Sequence, residues 1–581
     1  MESKEGVTHT EFHGPPSGSS VEEEVLESPP IGWRSWLTVA ICSFAILAQI
    51  YTTVASGANL AFIIRDLGHP GIAPWIIQGP LVVQSVLAPM MGRLSDDYGR
   101  KWLAVVPAVI AFVGSILAAR ATSMTTLIGY SILFGPSLTS AAVIQSISSE
   151  ILPLKWRSVS NGLAFVGGNF GGLTGSLAGG KLAGGGLHGW RHIFWLQAAF
   201  QGAVALGFLV AYWPQPVVRK KRSVMKAIWS FDPVGSLAYV FGVTLLLLGL
   251  NWGGGSYPWK SAYVLAPLII GILLLAFFGV YEWKGRSDGL VAHVLFARGR
   301  NFLMAMIAMV MEGWIFYGAF NNIIPQVILN LGFESTGLAI AVRQLSGNIP
   351  SLASALIIMW YSTKYRDLKS PLIAAYCCFL ISNICYAALN EHMQKAQYGF
   401  ALIMGLGLGG PLAMLSAVIQ LSVPHRYLSA ATGLGFSARA IGGAFGSAVL
   451  NAIINKELAS NLNQDVSAAA VAAGLDPKAV PALLMGLAIG DPTVIAAVPG
   501  INPGILSSAL AVSRHVYAKA YRLGFSSVIP FSVLALIACC FLQSVKEYMT
   551  EEVEATVEHV PVKTERTTEK GISLEHDPRS K

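Results

Sequence analysis

Three ionisable side chains of this 581-residue chain lie inside long apolar stretches: Glu312, in the run Met309 to Trp314, Arg343 and Arg439. A charge at such a place costs ~2.5–3.5 kcal/mol on membrane-insertion scales, so it faces a cavity or a partner. A carboxyl group there can take up and release a proton. Arg343 and Arg439 could balance it or hold an acidic group of a ligand; the plainer reading puts both at interfacial helix ends with their heads snorkelled to water. Gln49, Asn59, Gln84, Asn169, Trp314, Tyr317, Asn321 and Gln420 add amide and aromatic groups in or near the same apolar stretches. That is the composition of a cavity for an amphipathic ligand. Hydrogen bonds between helices, which average under ~1 kcal/mol each, account for such residues equally well.

Other chemistries find little support. There is no GxxxxGK[ST] phosphate loop, no convincing nucleophile–base pair and no His/Cys cluster at metal-ligand spacing, so no enzyme, cofactor or metal is expected. All six cysteines, Cys42, Cys377, Cys378, Cys385, Cys539 and Cys540, sit in apolar segments and read as small hydrophobes rather than a disulfide framework. The formal charge of +8 is spread over short loops and forms no basic domain, so nucleic acid is not an expected partner.

The elements that must position these groups follow from composition. With 54% hydrophobic and 12% charged residues, the chain belongs in a lipid bilayer. Apolar stretches of roughly 20 residues recur from the Trp36 region to the Leu542 region, each long enough to cross the hydrocarbon as a helix. They centre near residues 45, 83, 111, 137, 169, 203, 242, 272, 312, 350, 380, 410, 441 and 534, about fourteen in all. With the amino terminus inside, roughly eighteen Lys and Arg residues fall in the inner loops and about six in the outer ones, a bias that sets both termini in the cytoplasm. The Ala-rich stretch at about 455–520, interrupted by Pro477, Pro481, Pro492, Pro499 and Pro503, reads as a long external loop that could hold a short helix or re-entrant segment.

Between the second and third stretches lies a tight loop, Gly92 to Lys101, carrying two glycines, acids and three cations. Its Gly92, Leu94, Asp96, Gly99, Arg100 and Lys101 resemble the loop signature of the major facilitator superfamily, which in that family latches two halves together on the cytoplasmic side. Asp97 departs from the pattern, where a cation is usual. In the fifth stretch, Gly171, Gly175, Gly179 and Gly180 are similar to the antiporter signature GxxxGPxxGG, with Ser176 in place of its proline; the first meaning of such spacing is close helix packing. Tyr130, Phe134 and Gly135 stand where many drug exporters carry Arg, Gln and Gly, so proton coupling through that arginine is not carried over. Asp232 to Ser236, Gly249 to Gly254, Phe296 to Phe302, Tyr317, Asn321, Pro325 and Gly433 to Gly446 resemble the fourteen-span drug:proton antiporter branch, and within it the fungal trichothecene-efflux-pump family.

The resemblance implies an all-α membrane protein with the major facilitator fold, two six-helix bundles plus two extra central transmembrane helices. On that plan 1–32 is a disordered cytoplasmic tail, 33–213 the first bundle and 214–232 a basic cytoplasmic loop. The extra helices take 233–284, the second bundle 301–545 and a cytoplasmic tail 546–581. It further implies a monomeric secondary transporter in the plasma membrane, with a vacuolar or vesicular membrane as the alternative, exchanging protons for a small organic metabolite, toxin or drug moving outward. Glu312, Arg343, Arg439, Asn169, Tyr317 and Asn321 are the candidate proton and substrate site. Uptake of a ferric siderophore with protons is the rival reading, and a non-transporting receptor a remote one.

Overall fold

The computed structural model describes residues 31–69, 72–183, 188–214, 232–254, 257–489, 495–555 and 557; the basic cluster at 219–226, the amino-terminal tail before residue 31 and the carboxy-terminal tail beyond 557 lie outside them. Among the described residues there are helices and no named strand. Twelve helices are long and apolar enough to cross a membrane: α1 (Trp33–Ala58), α2 (Trp75–Tyr98), α3 (Lys101–Ala119), α4 (Met124–Ile151), α6 (Arg191–Ala211), α7 (Pro233–Trp252), α8 (Ala262–Gly285), α9 (Asn301–Asn330), α11 (Lys369–Ala387), α12 (Ala396–Leu421), α13 (Leu428–Ala472) and α14 (Pro503–Cys540). Two more helices, α5 (Arg157–Ala183) and α10 (Gly337–Tyr365), are just as long. Their glycine, serine and asparagine content makes them less apolar, and on α10 the small residues Gly347, Ser351, Ser354 and Ala355 form the buried face.

The helices form two groups that meet across a central seam. In the first, α1 lies against α5 and α6, and α3 against α6; in the second, α13 lies against α9 and α14, α10 against α12, and α11 against α14. The seam is made by α2 with α13 and by α5 with α10. The α7/α8 pair attaches at the seam through α7, which touches α2 and α13. Only 17% of the most apolar window of α8 is covered by protein, so most of that helix meets lipid.

Lipid tails are as apolar as leucine, so close packing and hydrogen bonds hold such helices together. Small residues decide where backbones can approach. A methyl group on Gly171 would overlap the Leu47 carbonyl of α1, one on Gly175 would crowd Tyr51 of the same helix, and one on Gly179 would meet Asn59, which caps that helix; Gly180 instead abuts Leu338 of α10. On α13, Gly442 sits against the Val310 carbonyl and Gly446 against the Trp314 ring, while Gly313 of α9 sits on the Arg439 carbonyl.

Residues 455–520 differ from the expected loop. α13 continues without a break to Ala472, 45 residues in all, a short helix runs from Val480 to Ile489, and α14 begins at Pro503. Alanine is the best helix former. Pro477 and Pro503 occupy first-turn positions, where the missing N–H has no partner to lose. Val466, Ala470, Leu483, Ile505 and Ala509 give this helical extension a small core of its own.

Thermal unfolding in detergent tests the packing. Gly171→Ala should lower the midpoint by the equivalent of ~1–3 kcal/mol through overpacking. Gly129→Ala on α4, where nothing lies within 4 Å of the added carbon, should leave it unchanged or raise it slightly.

Candidate functional site

The first and last described spans, α1 and α14, put the chain's entry and exit at one end of the bundle, where the loop from Gly92 to Lys101 also lies. That end is shut by polar ties across the seam. Asp96 accepts hydrogen bonds from the backbone N–H groups of Ser429 (3.1 Å) and Ala430 (2.8 Å), in the first turn of α13. A carboxylate there satisfies orphan donors and meets the positive end of the helix dipole. Arg100 is paired with Asp96 at 3.3 Å and with Glu150 at the end of α4, and donates to Ser429 Oγ at 3.2 Å. Gly92 lets the α2 backbone touch the Ser429 carbonyl, and Gly99, at φ 91°, turns the chain into α3. Leu94 is half-buried. Lys101 points away from the seam, its Nζ 3.0 Å from the centre of the Trp213 ring.

Further ties surround this group. Arg93 donates to Asp288 at 2.8 Å, and Tyr427 donates to the same oxygen at 3.1 Å. Arg157 donates to the Gln420 carbonyl at 2.5 Å, and Asn161 to the Gln420 side chain at 2.9 Å. The start of the expected carboxy-terminal tail crosses this end as a strap. Glu551 meets Lys155 at 2.6 Å, Glu554 meets Arg157 at 2.5 Å and His425 at 3.1 Å, and the backbones of Leu154 and Glu552 pair at 3.0 Å. Burial pushes the Glu554 carboxyl upward, but His425 and Arg157 outweigh it and hold it below the usual carboxylate range.

Midway along the bundle, between the two groups, lies a narrow cavity of about 70 Å³. The first group lines it with Gln49, Gln84, Gln145 and Asn169, the second with Phe316, Tyr317, Phe320, Asn321, Asn348, Ser351, Phe436 and Arg439. Behind this wall Glu312, 1% exposed, takes a two-pronged ion pair from Arg439 through Nε and through Nη2, the latter at 3.0 Å. Arg439 also donates to the Tyr317 hydroxyl at 2.9 Å and lies over the rings of Phe316 and Tyr317. Local helix geometry makes this possible. Residues Trp314–Ile323 form a π-helical segment, in which residues five apart share a face, so Tyr317 follows Glu312 onto Arg439. Pro325 accounts for the wide turn, because it lacks an N–H and crowds the carbonyl four residues back.

Of the residues singled out from sequence, Arg439, Tyr317, Asn169 and Asn321 line the cavity and Glu312 joins them through Arg439. Arg343 is elsewhere. It is 2% exposed, donates to Gln397 at 2.7 Å and Glu334 at 3.1 Å, and stacks over Tyr398, so it neither balances Glu312 nor snorkels. Gln145, Asn348 and the phenylalanines were not singled out, since nothing in their spacing separates a cavity wall from ordinary helix packing. The tail acids Glu551 and Glu554 carried no signal beyond a solvated charge run.

Two helical groups around a cavity midway along the bundle, tied together at one end by a charged latch, have the architecture of a membrane carrier. The comparisons agree: residues 37–447 match the Major Facilitator Superfamily, and the chain belongs to that family. It is a multi-pass secondary transporter of small substrates and not an enzyme. It is similar to the MFS-type transporter ucsD of Acremonium sp (26% identity over 437 residues, 74% of this chain and 72% of that one). It is also similar to the MFS-type efflux pump MMF1 of Pseudozyma antarctica (27% over 527 residues, 88% and 91%) and to the Acurin A biosynthesis cluster MFS-type transporter of Aspergillus aculeatus (26% over 459 residues, 77% and 80%). Among solved structures, the proton:xylose symporter XylE bound to 6-bromo-6-deoxy-D-glucose superposes with a TM-score of 0.53 at 11% identity, covering 90% of this chain and 98% of that one. That likeness speaks to fold alone.

Two outcomes follow from the charges. Arg439→Met should cost ~3–5 kcal/mol in thermal unfolding by stranding Glu312, and adding Glu312→Leu should recover most of it. Because the Glu554 carboxyl is held low, its contribution is complete above the ordinary Glu value of about 4.3 and is lost as pH falls through the depressed one. The wild type should therefore lose more of its unfolding midpoint on acidification below about pH 4.3 than Glu554→Gln does.

Proposed function

We propose that this transporter exports a small organic secondary metabolite in exchange for protons, with Glu312 as the group that takes up and releases the proton. The observation that carries the reading is the Glu312–Arg439 ion pair set into the cavity wall. A carboxylate away from water is tolerated because the guanidinium matches it, and protonating it frees the cation. The proton then changes the charge of the wall the substrate touches, which is the coupling an exchanger needs. Export is favoured by relatives named for metabolite biosynthesis clusters and efflux. The α5 glycines that resemble the antiporter pattern are occupied in packing on α1 and α10, so they support export only through the resemblance.

The mechanism on this reading is alternating access, with the two groups of six helices rocking about the cavity. Residues 33–213 and 301–545 form the moving bundles, and α5 and α10 are counted as spans, giving fourteen. Both termini and the Asp96–Arg100–Glu150 latch lie on the cytoplasmic side, and the strap begins the carboxy-terminal tail. A monomer suffices, and the plasma membrane is its place.

The test is metabolite profiling of cells and medium with and without the chain, followed by flux in vesicles. Loss of the protein should raise one organic metabolite inside cells and lower it outside. In vesicles, an imposed proton gradient should drive that metabolite against its concentration, and Glu312→Gln should abolish the gradient dependence. Unchanged gradient-driven flux in Glu312→Gln at all pH values would remove Glu312 from the coupling.

A further inference from the structure

The cavity wall holds buried acceptors that lack a partner, and they bear on what can bind. On the first-group side, Gln84 is 4% exposed and donates through Nε2 to the Leu138 carbonyl at 3.1 Å, which fixes the orientation of its amide. Its carboxamide oxygen is buried with no hydrogen-bond partner. Gln145, on α4, is 1% exposed, and its carboxamide oxygen is likewise unpaired. Both residues line the cavity. Buried acceptors left without a donor are rare in folded proteins, and a cavity is where a ligand or ordered water completes them. Opposite them, Phe316, Phe320 and Phe436 present aromatic surface beside the polar Asn321, Asn348 and Ser351. The one charged group of the cavity wall, Arg439, is matched by Glu312 and shares a further donor with Tyr317. A second negative charge entering here would compete with Glu312 for the same guanidinium.

We infer that the cavity takes an uncharged, largely apolar molecule with hydroxyl or N–H donors along one edge, that edge meeting Gln84 and Gln145 while the apolar face lies on the phenylalanines. Gln84 and Gln145 are then specificity-determining residues for the transported substrate. The inference rests on the reading of this cavity as the transport site and adds the chemical class of its ligand.

Equilibrium binding to the purified full-length protein tests this with three probes on one ring system: estradiol, estradiol dimethyl ether and estradiol hemisuccinate. Estradiol should bind about tenfold more tightly than the ether, the difference made by donors that complete buried acceptors. The hemisuccinate, a carboxylate, should bind most weakly. In the Gln84→Leu/Gln145→Leu variant the estradiol-to-ether ratio should fall to about one while the ether's affinity holds, which also reports that the variant is folded. The inference is overturned if the ether matches estradiol in the wild type, if the ratio survives in the variant, if the hemisuccinate binds best, or if none of the probes binds. A protein that exports its metabolite on a proton gradient but fails this pattern overturns the ligand class alone; one that shows the pattern without gradient-driven export overturns the export reading alone.

Discussion

A carboxylate and a guanidinium held together in the middle of a lipid-embedded bundle constrain everything around them. Neither charge is tolerable there alone, and the pair is tolerable only if both prongs of the guanidinium find the carboxylate and the rest of its surface is covered. The chain meets that demand with Tyr317, the Phe316 ring and a π-helical turn that brings residues five apart onto one face. It also needs α9 and α13 to cross closely, which Gly313, Gly442 and Gly446 permit by leaving out the side chains that would hold the backbones apart. One interaction thus ties together a proline, a set of glycines and two helices more than a hundred residues apart in sequence.

The latch at the terminal end works by a different economy. Its carboxylates are covered too, but each partner is shared: Arg100 among Asp96, Glu150 and Ser429, and His425 between Glu150 and Glu554. Shared contacts of this sort can be exchanged one for another, which suits an end that opens in the proposed alternating-access cycle. The strap adds residues from the far end of the chain to the same cluster, so the last described segment helps hold the first group to the second.

Much of the architecture was legible because the bilayer allows so few alternatives. Apolar runs of membrane length had to be helices, and the Gly92 to Lys101 loop pointed to a latch through its resemblance to the family signature. Glu312 was legible for the same reason, as a costly carboxylate in an otherwise apolar run. What escaped depended on contacts between distant segments. Arg343 and Arg439 look alike in sequence, yet one meets Glu334 and Gln397 and the other meets Glu312, because different helices happen to face them. Gln145 sits in a stretch whose neighbours are all buried, so no periodicity sets its side chain apart. At 455–520 two of the prolines that look like breaks start helices, and the alanines extend α13 to Ala472.

The most direct test of proton exchange at Glu312 is to count protons as substrate binds. The purified transporter in weakly buffered detergent solution would be titrated with its exported metabolite while a pH indicator follows the medium, over a range of starting pH values. Competition between proton and substrate predicts about one proton released per substrate bound in the wild type. Glu312→Gln should bind substrate and release none. Equal proton release by the two proteins would contradict the coupling at its centre.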